Sequence, residues 1–379
     1  MRDDVYIVGI DMTHFGRFPD KSAAQIGAEA SLGALRDAAV SIHEIQAVYG
    51  GCRYTGMIGQ KILQQIGQTG VQVVNVVNAC ATGATTIREG WTAIRAGEYD
   101  TVLCVGVEKM TGMGMLGEPA AGVIPTEGLL GSASMPAIFG EAGMEYAANH
   151  GATFADFAQV AVKNHHHATM NPKAFFRKET PLDMVMDAEL IAYPITKLMC
   201  SINVDGGAAA VLMSGRKVRE RGLMSQAIRI RATAIASDPW QERDPIMPDI
   251  NSATRLAVDK AYEMAGLAPA DLDLVELHDC FAPAELLHYE NLRLCAEGEG
   301  IRLLHDGETT LGGRIPVNMS GGLLSKGHPV GGTGVANLYE IALHLRGQAG
   351  ARQVDGARIG MAHVVGLGTA SAVHILERA

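Results

Sequence analysis

Cys80 stands just after an apolar run (VVNVV, 73–77) and at the start of a stretch in which Ala84, Ile87, Trp91 and Ile94 recur at helical spacing. At a helix start, unpaired N–H groups and the helix dipole favour thiolate over thiol, so a nucleophile would belong there. The residues also allow a plainer reading, because a cysteine among Ala, Thr and Gly is more often a small packing residue. The segment DLDLVELHDCFAPAE (271–285) carries an apolar strand pattern into His278, Asp279 and Cys280. An imidazole and a thiol two residues apart suit proton transfer at carbon, since neighbours can tune either group toward neutral pH. A capped strand end with a core cysteine is the alternative. In KGHPVGGTG (326–334), His328 is fixed by Pro329 and surrounded by glycines that let backbone and ligand approach closely. Lys326 precedes those glycines, whereas a Walker loop ends in Gly-Lys-Ser/Thr, so nucleotide binding of that kind is not expected. Gly366, within VVGLG (364–368), offers a backbone N–H unshielded by any side chain, a candidate oxyanion donor.

In open α/β sheets, ligands bind beyond the carboxyl ends of strands, and all four places follow apolar runs. The runs at 73–77 and 101–107 (TVLCVGV) flank the helix pattern between them, a β-α-β unit of the kind that builds a parallel sheet covered on both faces. The fold class is therefore α/β. Val317 leads into a second Gly-rich turn, a helix marked by Val335, Leu338, Ile341, Ala342 and Leu345, and a strand from Ile359 to Val365. Two such units predict an internal duplication with a repeat of about 220 to 250 residues. The segments VYIVGIDMTHFG and IRIRATAIAS are candidate first strands of the halves, which sets the boundary near Leu223 and gives halves 1–222 and 223–379. From about Gly112 to Pro194 the pattern gives way to Gly-, Met-, Pro- and His-containing loops and short helices, an insertion of the kind that covers a site. Its Met113, Met115, Met135 and Met144, with Met110 just ahead, could line an adaptable acyl pocket, although loop methionines more often fill core. His165, His166 and His167 lack a carboxylate or further His at ligand spacing, so solvated or loop-contacting histidines are expected and no metal site.

Composition narrows the classes. With 31 basic and 41 acidic side chains the net charge is −10, which disfavours nucleic acid as a partner. Apolar residues at 47% suit a compact protein of about two domains. No run approaches the roughly 18 to 20 apolar residues of a membrane span. The start, MRDDVYIV, has acids where a secretion signal needs a basic segment and then a longer apolar run, so a cytoplasmic location is expected. Cysteines at 52, 80, 104, 200, 280 and 295 form no Cys-x-x-Cys pair and read as single thiols.

Together, NACATGA around Cys80, HDCF at 278–281, GHPVGGTG around His328 and HVVGLGTASAV at 363–373 resemble the thiolase superfamily, and HDCF points to its sterol-carrier-protein-like branch. KNHHHATMNPKAFFR (163–177) and CSINVDGGAAAVLM (200–213) extend the resemblance over nearly the whole chain. It implies a duplicated five-layer α-β-α-β-α fold, usually dimeric, acting on acyl-coenzyme A with CoA as co-substrate and no bound cofactor. It further implies that Cys80 takes the acyl group as a thioester, His328 activates that thiol, His278 and His328 form an oxyanion hole for the thioester enolate, and Cys280 moves a proton at the α-carbon. The backbone N–H groups of Cys80 and Gly366 would form a second oxyanion hole. Degradative thiolases carry a second catalytic cysteine in a Cys-x-Gly element; the matching residue here is Val364, and Cys280 is its natural substitute. His363 resembles a residue of the same branch, with no role attached. The implied activity is thiolytic cleavage of a 3-oxoacyl-CoA, or the reverse Claisen condensation. The rivals are a retro-aldolase acting on a 3-hydroxyacyl-CoA beside a small OB-fold, zinc-ribbon partner, a ketoacyl synthase, and a non-catalytic acyl-CoA-binding subunit.

Overall fold

The computed structural model describes residues 3–113, 135–239, 250–366 and 370–379, so Met115, Leu367 and Gly368 lie outside the described residues. The strands are β1 (Val5–Met12), β2 (Ala47–Gly51), β3 (Gln72–Val76), β4 (Thr101–Glu108), β5 (Leu190–Ala192), β6 (Ile195–Thr196), β7 (Gly206–Ser214), β8 (Ile228–Ala236), β9 (Leu274–Glu276), β10 (Ile359–Gly366) and β11 (Ala370–Arg378). Nine of them form one sheet in the order β3-β2-β4-β7-β1-β8-β11-β10-β9. Counted outward from its centre, β1, β7, β4, β2 and β3 are joined by two antiparallel and then two parallel pairings. On the other side β8, β11, β10 and β9 repeat that sequence, and a single parallel bridge from Val275 to Val317 stands where a fifth strand would pair. The duplication is thus written in strand order. The two halves meet where β1 and β8 pair over Tyr6 and Ile7.

Layering follows from burial. Every residue of β4 and β7 is buried, the near-continuous apolar composition of strands covered on both faces. One cover is the helix Thr82–Ala96 together with Thr333–Arg346, which pack against each other and against strands of both halves. The outer covers are Ala23–Ala38 on β1 and β7 and Ser252–Ala265 on β8 and β11. With the two arms of the sheet, β1-β7-β4-β2-β3 and β8-β11-β10-β9, as separate strand layers on either side of the central helices, these are the five layers that the resemblance implies. The central helices touch closely: a Cβ on Gly334 would lie 2.3 Å from the Ala84 nitrogen, and one on Gly83 would lie 2.7 Å from the Gly331 carbonyl oxygen. Only glycine permits that approach, and it brings the segments before both helices together.

The inserted region corrects the expectation of loops and short helices. It contains two four-turn helices, Met135–His150 and Phe154–Thr169, the second opened by a Thr153 capping box. The second helix is buried around most of its circumference, with Phe157, Val160 and Ala161 inside but also Lys163, Asn164, His165 and His167. Inward polar residues erase the apolar stripe by which a helix is read from sequence. The expected solvated or loop-contacting histidines are found in part: His167 Nδ1 lies 3.1 Å from the Asn318 carbonyl oxygen in the loop after Val317, but it and His165 are not solvated. His166 is exposed against Glu179, at 2.8 Å, whereas His165 and His167 are buried. Among the described residues no helix is long and apolar enough to cross a membrane.

Candidate active site

After β3 the chain turns through Asn78 and Ala79 to Cys80 before the Thr82–Ala96 helix begins. Thr82 ties that turn: its hydroxyl accepts from the Asn78 N–H (2.8 Å) and donates to the Ala79 carbonyl (2.6 Å). Ala79 has φ +47°, a left-handed conformation unfavourable for a residue with a side chain. Such strain persists where the surroundings enforce it, and it stands here beside the candidate nucleophile. Cys80 lies in a small apolar cluster with Ala81, Ala84, Met110, Val330, Val364, Ala370 and Ala372.

His328 reaches that sulfur from the other half of the molecule, with Nε2 at 3.3 Å from Cys80 Sγ. Its Nδ1 lies 2.7 Å from Thr333 Oγ1, and that hydroxyl donates its one hydrogen to the Pro329 carbonyl (3.0 Å). Thr333 must therefore accept from Nδ1–H, which leaves the Nε2 lone pair facing the thiol. Burial, reinforced by Lys326, pulls the His328 pKa down to about 3, so the ring is a neutral base at physiological pH. His278 packs edge-on against it at 5.2 Å between ring centres and is also held neutral, by burial first and then by His328, His363 and His288. Cys280 is buried. Its pKa is pushed well up by burial, the nearby Cys80 and Asp279, and a protonated thiol is what a general acid needs. Gly366 closes the other side: a Cβ there would lie 2.5 Å from the Asn78 carbonyl oxygen and 3.2 Å from the Ala81 nitrogen, so the absence of a side chain lets β10 rest on the Cys80 turn. The structure thus brings Cys80, His278 and His328 together, with Cys280 and Gly366 alongside.

Residues not anticipated as site components hold these groups in place. The loop before β7 joins two motifs, Ser201 N–H donating to the Cys280 carbonyl and Ile202 accepting from the His328 N–H, both at 2.8 Å. Lys163 pairs with Glu285 at 2.6 Å, both buried. Asn164 donates to Glu285 (2.6 Å) and to Asp279 (2.8 Å), and Asp279 also accepts from the Leu323 N–H (2.7 Å). The inserted helix therefore anchors HDCF through a buried polar network. Lys163→Met strands the Glu285 charge, and removing one partner of such a pair costs about 3 to 5 kcal/mol; urea unfolding will show that loss, with much of it recovered in Lys163→Met/Glu285→Gln. Thr333 was legible in GGTG only as a small residue, and nothing in the spacing marks it as the group that sets the His328 tautomer.

Residues 5–190 match the thiolase N-terminal domain family and residues 239–378 the thiolase C-terminal domain-like family. The chain is 38% identical to sterol carrier protein 2 of Oryctolagus cuniculus over 98% of its own length and 72% of that protein. The chain belongs to the thiolase family. It is also 36% identical to an acetyl-CoA acetyltransferase of Methanothermobacter thermautotrophicus over 99% of this chain and all of that one. Among solved structures, the Ltp2-ChsH2(DUF35) aldolase superposes with a TM-score of 0.85 at 25% identity, covering 99% of this chain and 98% of that one. In this thiolase family member, Val364 packs in the cluster around Cys80 and carries no titratable group, while Cys280 lies near enough for Cys80 to raise its pKa.

Proposed function

We propose that the chain catalyses thiolytic cleavage of a 3-oxoacyl-CoA by CoA, or the reverse Claisen condensation, through an acyl-enzyme on Cys80. The observation that carries this reading is the 3.3 Å approach of Cys80 Sγ to a His328 nitrogen whose lone pair is fixed by Thr333, the geometry of an activated nucleophile. In cleavage, Cys80 passes its proton to His328 and attacks the 3-keto carbon. The backbone N–H groups of Cys80 and Gly366 take the tetrahedral oxyanion. The C2–C3 bond breaks, its electron pair forms a thioester enolate held by His278 and protonated His328, and Cys280 protonates C2. The proton held by His328 returns to Cys280 as the first product leaves. Free CoA then gives its thiol proton to neutral His328 and attacks the Cys80 thioester, and His328 passes that proton to the departing Cys80 sulfur, which restores the thiol. Mixing with a 3-oxoacyl-CoA and no free CoA will place the acyl mass on the Cys80 peptide.

Cys280→Ser tests the division of labour between the thiols. Loss of a positioned proton-transfer group lowers overall thiolysis by about 10² to 10⁴-fold, while acylation of Cys80 by a simple acyl-CoA, which needs no proton at carbon, continues at a rate near wild type. Equal loss in both half-reactions places Cys280 elsewhere in the mechanism.

The aldolase similarity supports a second reading, retro-aldol cleavage of a 3-hydroxyacyl-CoA with a small OB-fold, zinc-ribbon protein as partner. Turnover of that substrate without any Cys80 adduct selects it, and co-purification of the native protein tests for the partner. We further propose a homodimer, in which the edge strand β3 pairs with its copy; Val77 and Met57 beside it are 64% and 62% exposed. Light scattering reports the mass. None of the six cysteines forms a disulfide, as a reducing compartment such as the cytoplasm allows.

A further inference from the structure

Cys80, His278 and His328 each offer a ligand atom, one sulfur and two imidazole nitrogens, and these atoms all lie within 4.8 Å of one another in buried surroundings. Among the described residues no other group of three His, Cys, Asp or Glu side chains converges in this way. Zinc binds thiolate at about 2.3 Å and imidazole at about 2.0 to 2.1 Å in tetrahedral geometry, so its ligand atoms stand about 3.6 Å (S to N) and 3.3 Å (N to N) apart. The Cys80–His328 separation of 3.3 Å is already close to such an edge. Three N/S ligands with no carboxylate among them suit a soft or borderline cation over magnesium or calcium. They are also the ligand count of zinc sites that keep a fourth position open.

Two further observations point to a ligand. His278 is 2% exposed and its Nδ1 has no hydrogen-bond partner, so its ring can turn toward an ion without breaking a bond at that atom. His328 is already oriented as metal-bound histidines are, with its second nitrogen held by an outer group, Thr333, and the first aimed at the sulfur.

We propose that Cys80, His278 and His328 form a three-ligand site for a thiophilic divalent cation such as zinc, which occupies the place of the reacting group and reversibly blocks the nucleophile. Binding converts the Cys80 thiol to a metal-bound thiolate and releases its proton to solvent; no electrons are exchanged. The fourth position is left to water or an incoming thiol. The geometry alone carries this site, whatever acyl transfer the chain performs.

Chelator-treated full-length protein titrated with Co²⁺ will show a thiolate-to-cobalt charge-transfer band that saturates at one equivalent and is displaced by Zn²⁺. Zn²⁺ will also slow iodoacetamide labelling of the Cys80 peptide, and chelator will restore it. The band is lost in Cys80→Ser and in wild-type protein carboxymethylated at Cys80, a control that does not depend on how a variant folds. Thr333→Val weakens cobalt binding by about 10- to 100-fold, the usual effect of removing an outer partner. A band that survives carboxymethylation, or no band at millimolar Co²⁺, overturns the proposal. Because the titration uses no substrate, its failure leaves the acyl-enzyme measurement untouched, and the reverse also holds.

Discussion

Cys80→Ser and Cys80→Ala will fold and will lose thiolysis by at least about 10⁴-fold in kcat/KM, as expected when the nucleophile of a covalent mechanism is removed. Folding survives because the sulfur lies among small apolar groups, Ala81, Ala84, Val364 and Ala372, where serine or alanine changes the packed volume little. Catalysis does not, because the remaining groups are arranged around that atom. His328 Nε2 points at it, and the turn that presents it is held by Thr82. Serine keeps the position but offers an alcohol far less acidic than a thiol to the same neutral imidazole. Matched thermal unfolding with activity above a few per cent of wild type refutes the acyl-enzyme. Loss of activity together with loss of the fold is answered by alkylating wild-type Cys80, which must abolish turnover alone. Saturation with CoA does not rescue either variant, since CoA enters only after acylation.

The site was legible where chemistry and chain geometry coincide. Cys80, His278 and Gly366 each follow or close an apolar run at a strand end, whereas His328 follows the short helix Gly322–Ser325 and was read from its Gly- and Pro-rich setting. It was the family resemblance that joined the four into one site. The duplication was legible because β4 and β10 carry their apolar patterns openly. The supporting structure was not. Lys163, Asn164, Asp279 and Glu285 look like surface residues in sequence, yet they satisfy one another inside the protein, and pairing across 122 residues leaves no local pattern. The same inward polar groups made the helix at Phe154–Thr169 look irregular, and they put His165 and His167 indoors where solvent or a surface loop was expected. The fifth strand of the second half, reduced to the Val317 bridge, likewise has no extended run to read.

Those buried histidines have a thermodynamic consequence, loss of the folded state in mild acid. His165 and His344 are pulled down to about 4 and His288, His328 and His374 to about 3, in every case chiefly by burial, and His167, His278 and His363 are lowered well below the ordinary value for the same reason. Above pH 6.5 neither the folded nor the unfolded chain protonates them. As pH falls below 6.5 the unfolded chain binds a proton at each while the folded chain does not, so stability drops with falling pH until each group's own lowered value is reached. Each such group contributes up to about 1.4 kcal/mol per pH unit across that window. Eight of them exceed the roughly 5 to 15 kcal/mol of a typical domain within one to two pH units. Burial raises Glu108, Glu276 and Asp279, which oppose this below their raised values, but three groups do not offset eight. Circular dichroism on acidification will show cooperative unfolding near pH 5, and cooperative structure persisting at pH 4 contradicts it. Activity is bound to the same event. His328 stays a free base for as long as the fold keeps water from it, so the acid limb of kcat/KM will coincide with the structural transition instead of tracing a separate imidazole titration near pH 6.5. The low dielectric that supplies an unprotonated base beside Cys80 is what makes the protein fragile in acid.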